Sequence, residues 1–332
     1  MNNIAKFKKY IDLLDEVYKQ SSKTQDLDGD TTLVRAGANT NEIIVPKLSM
    51  DGLADYSRNS GYISGDVNFS YETVKFNYDR GRKFTVDAMD NEETAGLAFG
   101  KLSSEFLRTK VVPEVDAFRF ATYAGTANIG KATGNLSTGA DVVAALRAAA
   151  NAMDEAEVNA ENRILFITPT LKGKVDDLDT NKSKEVFGKF SKVVEVPQSR
   201  FYTAIDLLDG SSDNELIGGY RKHVLSYVKT TDTALVEGKT YYTKSGDTYS
   251  AVVSPDVADI ATYYEAIPAG QNINFMVIEK SALLQYPKHK VNKIIDPEAN
   301  QTSDGWMFFY REYGLADVYE NKTAGIYVHS VA

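Results

Sequence analysis

Cysteine is missing from all 332 residues of the sequence. Disulfides, thiolate metal sites and a thiol nucleophile are thereby excluded, and redox chemistry does not hold the chain together. Histidine is nearly as scarce. His223, His289 and His329 lie far apart without paired metal-ligand spacing, which favours satisfied or solvated side chains over a metal centre or a triad. No apolar run approaches the ~20 residues that span a bilayer, and the lysine-bearing start, Met1 to Lys9, is not followed by the apolar core of a signal peptide. The expectation is a protein that neither spans a membrane nor leaves the cell by a standard signal. With only 8 Pro and 23 Gly, the chain is forcibly broken at few points. Tryptophan occurs once, yet 20 Tyr and 15 Phe supply the area for a sizeable core. Against 46 acidic residues stand 37 basic ones, a net charge of -9 that opposes a dedicated nucleic-acid-coating surface but leaves room for a local basic patch.

Apolar spacing then organises the chain. Ile4, Phe7, Ile11, Leu14 and Tyr18 predict one amphipathic helix, followed by a polar arm over 21–41. From Glu42 to Asp87 the period is that of strands: Ile43 to Val45, then Val67, Phe69 and Tyr71, then Val74, Phe76 and Tyr78 in the opposite phase. The phase change between Tyr71 and Val74 predicts a bulge or twist. Turn chemistry at Asn59-Ser60-Gly61 and at Asp79-Arg80-Gly81 predicts a ribbon of two or three strands, apolar on both faces and in need of a partner surface. A long helix is expected over 91–124, capped by Asp90 with Glu92 and Glu93 in its first turn and kinked at Pro113. Strands and helices alternate from Ala140 to Pro197, and Tyr220 to Val228 reads as a further strand. A Thr-, Tyr- and Lys-rich stretch from Thr230 to Tyr264, with a turn at Gly246, reads as a small β insertion. Strands resume over Ile273–Glu279, Trp306–Tyr313 and Gly325–His329.

None of the motifs carries catalysis. Gly125 to Lys131 has the glycine and lysine spacing of a phosphate loop, but Ala132 replaces the required Ser or Thr, and a helix precedes the motif where a strand is needed. Asp26, Asp28 and Asp30 lack the glycine and the final glutamate of a calcium loop. Asp176, Asp177 and Asp179 are adjacent carboxylates that diverge at a helix end. Lys288, His289, Lys290 and Lys293 form one basic cluster without the aromatic stripe of a nucleic-acid site, which suits a solvated face or a subunit contact.

The order of elements and several local runs resemble one family. Gly52-Leu53-Ala54-Asp55-Tyr56, the run Asp79-Arg80-Gly81-Arg82-Lys83-Phe84-Thr85-Val86-Asp87 leading into Asp90-Asn91-Glu92-Glu93-Thr94, the step Asp304-Gly305-Trp306, Tyr310-Arg311-Glu312-Tyr313 and Gly325-Ile326-Tyr327-Val328 resemble major capsid proteins of tailed bacteriophages, of the kind found in phages and prophages of Gram-positive bacteria. That resemblance implies an α+β, Hong Kong 97-like fold. It implies an N-terminal helix and arm (1–41), an extended β-hairpin loop (42–88) and a peripheral domain with the spine helix (89–139 and 291–332). An α/β axial domain (140–290) would carry the β insertion (230–264).

The function so implied is a non-enzymatic subunit of an icosahedral head shell, without cofactor or metal. Tyr56, Arg58, Tyr62, Phe69, Tyr71, Phe76, Arg80 and Arg82 are the expected subunit contacts. The implied partners are further copies in hexamers and pentamers, a scaffolding protein, a portal, and packaged DNA held without sequence specificity on an inner face enriched in Lys and Arg. The expected location is the virion, after assembly in the host cytoplasm. An encapsulin-like nanocompartment shell protein and an unrelated surface-binding module are the alternatives. Some relatives join a Lys to an Asn covalently, but no such pair is assigned here.

Overall fold

The computed structural model describes residues 22–29, 35–36, 42–59, 61–89, 103–178, 181–212 and 215–332. The helix expected over 4–20, much of the arm, and the start of the expected spine helix with Asp90 lie outside the described residues. Strands β1 (Arg35–Ala36), β2 (Glu42–Met50), β3 (Val67–Lys75) and β4 (Tyr78–Asp87) come first, followed by helix α1 (Val112–Gly125), β5 (Gly130–Thr133) and α2 (Gly139–Glu155). Next are β6 (Arg163–Ile167), α3 (Pro169–Asp176), α4 (Asn181–Phe187), β7 (Lys192–Glu195), β8 (Ile205–Leu208), β9 (Gly219–Lys222) and β10 (Ser226–Lys229). The chain closes with β11 (Tyr242–Ser245), β12 (Thr248–Ala251), β13 (Tyr264–Ile267), β14 (Ile273–Glu279), β15 (Leu283–Ile295), β16 (Gly305–Val318) and β17 (Ile326–Ser330). These residues form two compact units, one built mainly from Thr24–Glu105 and Leu283–Asp317, the other from Phe106–Ala282 and Val318–Ala332.

The first unit holds two three-stranded sheets, ordered β1-β2-β3 and β15-β16-β4. Along β16 the period of two buries Phe308, Tyr310 and Glu312 and leaves Arg311 exposed. Gln285 on β15 is fully buried, and its Nε2 donates to the Thr24 carbonyl at 2.9 Å and to Asp28 Oδ1 at 2.7 Å, tying the 24–29 segment to the strand. One local expectation fails here, and one of two alternatives drops out of another. Asp79-Arg80-Gly81 is not a turn: it lies inside β4, paired with Tyr313, Glu312 and Arg311. Gly81 serves close strand approach, since a Cβ there would stand 2.7 Å from the Tyr310 carbonyl oxygen. Nor is there a bulge between Tyr71 and Val74, because β2 and β3 pair without a break from Glu42↔Lys75 to Met50↔Val67.

In the second unit a five-stranded sheet, β5-β17-β14-β6-β7, forms the core. All of β6 and β14 is buried, as strands covered on both faces must be. Leu165, Ile167, Phe275 and Val277 face Val142, Leu146, Ala149 and Met153 of α2, together with Leu171, Val175 and Val186 from α3 and α4. On the opposite face Phe166 meets Phe120 of α1 edge-on at 5.2 Å, and Phe120 meets Phe201 at 4.8 Å. Thr138 caps α2 reciprocally with Asp141. Helical backbone continues through Pro113, with a π-helical turn at Leu107–Val111 just before it. Asp116 on α1 is fully buried and accepts from Ser22 Oγ at 2.9 Å, Lys23 N at 3.0 Å and Arg200 Nη1 at 3.2 Å.

The expected strand over Tyr220–Val228 is two strands. His223 interrupts it: its ring bridges Asp206 through Nδ1 and Ser226 Oγ through Nε2 (3.2 Å), and its N–H donates to the Ala204 carbonyl. The Thr- and Tyr-rich region forms its own sheet, β10-β13-β11-β12, over a small core of Tyr241, Ile260 and Tyr263, with the hairpin turning at Gly246.

Asn274 and His329 make one buried polar pair pH-sensitive. Asn274 Nδ2 donates to the Gly134 carbonyl at 3.0 Å, which fixes the amide orientation and sends its other hydrogen to His329 Nδ1, also at 3.0 Å. Burial lowers the His329 pKa below its ordinary value of 6.5. The unfolded chain therefore binds this proton more readily. The stability carried by neutral His329 is complete above pH ~6.5 and is lost as pH falls through the depressed folded value. Chemical denaturation should show His329→Gln flattening the decline in stability below neutral pH; an unchanged slope would remove His329 from the cause.

Candidate functional site

Aligned apolar side chains that no described residue covers mark the β2–β3 ribbon. In its continuous register, Ile43 faces Val74 and Val45 faces Glu72 on one side, while Pro46 faces Tyr71, Leu48 faces Phe69 and Met50 faces Val67 on the other. The first side is buried at its base through Ile43, Val45 and Val74, then turns polar, with Lys47 and Glu72 3.7 Å apart. The second side is apolar and open. Its exposures run from 52% at Leu48 to 68% at Val67, with Met50, Phe69 and Tyr71 between. The phase change in the sequence therefore has a physical cause other than a bulge: the ribbon buries one face near its base and offers the opposite face farther out.

The loop 51–66 continues this surface. Asp51 N donates to the Asp66 carbonyl at 3.1 Å and Asp66 N donates to Asp51 Oδ2 at 2.8 Å, closing the neck. At the tip, Ser57 and Gly61 exchange backbone hydrogen bonds, and the φ of 79° at Gly61 suits a residue without Cβ. Leu53 and Ile63 are exposed, and Tyr62, 90% exposed, meets Tyr56 at 4.9 Å. Together these side chains offer on the order of 1,000 Å² of apolar surface, beyond the ~300–600 Å² of the largest patch on an ordinary monomer.

Of the eight expected contact residues, the structure brings five into this surface. Phe69 and Tyr71 stack edge-on at 5.0 Å on the open face, while Tyr56, Arg58 and Tyr62 are exposed in the loop. The other three lie elsewhere. Phe76 is half-buried against Tyr313 at 5.0 Å, with Lys288 Nζ 4.6 Å above its ring. Arg80 stands opposite Glu312 in the β4–β16 pair, and Arg82 stands opposite Tyr310. Leu48, Met50, Leu53, Ile63 and Val67 also belong to the open surface and are not among the eight expected contacts; the strand alternation marks Leu48, Met50 and Val67, and the register tells which face is open. Beside Arg80 and Arg82, Asp79 accepts two hydrogen bonds from Arg311, at 2.9 and 2.7 Å, and the guanidinium holds its carboxyl below the usual range. Among the described residues no group of His, Cys, Asp and Glu could hold a metal ion.

No family model matches the sequence, and no curated protein matches it. Solved structures do. A chain from Gordonia phage Cozz aligns with a TM-score of 0.51 at 14% identity, over 94% of this chain and 87% of that one. One from Mycobacterium phage Bobi aligns at 0.51 and 8% identity, over 94% and 91%. A chain in the structure of the head fiber and inner core protein gp22 of native bacteriophage P68 aligns at 0.50 and 9%, over 93% and 84%. At such identities the likeness concerns the fold alone: the mixed α+β fold of this chain is shared with chains from these phages.

Proposed function

We propose that this chain is the major capsid protein of a tailed bacteriophage, a non-enzymatic subunit whose copies close into the icosahedral head shell around the genome. The open apolar face of the ribbon carries this reading. An enzyme of this size has no use for a ribbon that leaves aligned apolar side chains in water, whereas a shell subunit covers them with a neighbour at every contact. Each such contact is modest, and closure with symmetry multiplies it. In this reading the ribbon within 42–88 is the extended loop, 89–139 and 291–332 are peripheral, and 140–290 with its insertion at 230–264 is axial. Tyr56, Arg58, Tyr62, Phe69 and Tyr71 contact a second copy. Hexamers and pentamers, a scaffolding protein, a portal and DNA against a Lys- and Arg-rich inner face complete the proposal, with assembly in the host cytoplasm and residence in the virion. Negative-stain microscopy of the purified chain should show closed shells of head size; dispersed particles under assembly conditions would contradict it.

A further inference from the structure

The small sheet β10-β13-β11-β12 has two unlike faces. Tyr241 and Tyr263 turn into its core with Ile260, so their chain neighbours Tyr242 and Tyr264 point the other way. In the register Tyr242 pairs with Tyr264, Lys229 pairs with Tyr264, and Lys244 pairs with Tyr249; directly paired residues share a face. Tyr227, two residues from Lys229, joins them. The ring contacts agree with this assignment. Tyr227 stacks on Tyr249 with centroids 4.1 Å apart and planes inclined by 6°, and it meets Tyr242 edge-on at 5.0 Å. Tyr249 meets Tyr264 edge-on at 5.3 Å, and Lys244 Nζ lies 5.6 Å from the centre of the Tyr249 ring.

All four tyrosines are half-buried by one another, while Lys229 and Lys244 are exposed. Among the described residues, none of these four phenolic hydroxyls has a hydrogen-bond partner and neither lysine has an ion pair. Alternation puts no carboxylate of the four strands on this face. Glu265, the acid within them, points to the opposite side and pairs with Lys239 Nζ at 2.9 Å. The face therefore holds positive charge without a counter-charge, on a chain whose net charge is -9, around a cluster of hydroxyls without partners.

That combination selects a ligand. A nucleobase needs an open aromatic face on which to stack, and these rings are engaged with each other and with Lys244. What the cluster offers outward is phenolic O–H groups, which both donate and accept, beside two compact cations that take an anionic oxygen from any direction. We propose that this face binds an acidic polysaccharide, with sugar hydroxyls on the phenols of Tyr227, Tyr242, Tyr249 and Tyr264 and anionic groups at Lys229 and Lys244. A neutral glycan leaves the lysines unanswered. An acidic polypeptide answers the lysines but brings few hydroxyls to the phenols. The site uses no part of the β2–β3 ribbon, so its failure leaves the shell reading as it stands.

Binding of the full-length chain to polygalacturonate, dextran, polyglutamate and oligothymidylate, measured by biolayer interferometry at one ionic strength, tests the proposal. Polygalacturonate should bind at least about tenfold more tightly than the other three, because it alone carries both sugar hydroxyls and closely spaced carboxylates. Equal binding of polyglutamate would reduce the face to a general attractor of anions, equal binding of dextran would remove the lysines from the site, and tighter binding of oligothymidylate would make it a nucleic-acid surface; each overturns the proposal. Lys229→Gln with Lys244→Gln should weaken polygalacturonate binding at least about tenfold. Both positions are exposed, so the melting temperature should stay near that of the parent. Tyr227→Phe with Tyr249→Phe keeps the stacked rings, removes two hydroxyls and should weaken binding about fivefold or more. Parent-like affinity in either double variant counts against the site.

Discussion

Leu48→Glu combined with Phe69→Glu will abolish shell formation and leave the subunit folded. These two side chains stand directly opposite each other on the open ribbon face, both more than half exposed, so neither supports the chain's own core. Exposed substitutions of this kind change subunit stability by about 0.5 kcal/mol or less. Their effect on association is far larger. Covering a large apolar side chain contributes about 1.5–3 kcal/mol, and forcing a carboxylate into the same apolar contact costs several kcal/mol more. The loss recurs at every contact in a closed shell, so sedimentation should show a complete shift from large particles to small species, with an unchanged melting curve. Normal shell yield from this variant would remove the ribbon face from assembly.

The second large effect is on folding. Asp116→Ala should destabilise the second unit by about 3–5 kcal/mol, because it leaves the Arg200 guanidinium without the carboxylate it faces and strands Ser22 Oγ and Lys23 N. A unit of this size should melt about 10 °C lower. Asp116→Asn keeps an acceptor and the volume while removing the charge, and should fall between the two. A loss below 1 kcal/mol for the alanine variant would mean that the polar cluster is not a structural tie.

How far the sequence discloses all this depends on the range of the interaction involved. β6 is legible because a run such as Arg163-Ile164-Leu165-Phe166-Ile167, buried on both faces, looks the same in isolation as in the sheet. The ribbon is legible as alternating strands, but alternation says only that two faces differ. Which face meets a core and which meets solvent depends on contacts outside the ribbon, so from sequence the step at Tyr71–Val74 reads as a bulge or a twist, whereas β2 and β3 pair through it without a break. Asp79-Arg80-Gly81 looks like a turn for a related reason: the Gly81 backbone approaches a strand more than two hundred residues away, and locally that glycine is indistinguishable from one in a turn. The break at His223 depends on Asp206, and the burial of Asp116 depends on Arg200; neither partner announces itself in the sequence. Of the candidate surface, the aromatic members stood out by type. The aliphatic Leu48 and Met50 need the register, and Val67, visible in the alternation, needs it to be placed on the open face.

A three-dimensional reconstruction of the assembled protein by electron microscopy decides whether the open ribbon face is a contact between copies. The expected result is a closed shell in which Leu48, Met50, Phe69 and Tyr71 of each ribbon lie buried against a second copy. Particles that remain dispersed, or a shell whose ribbons leave that face in solvent, would contradict it.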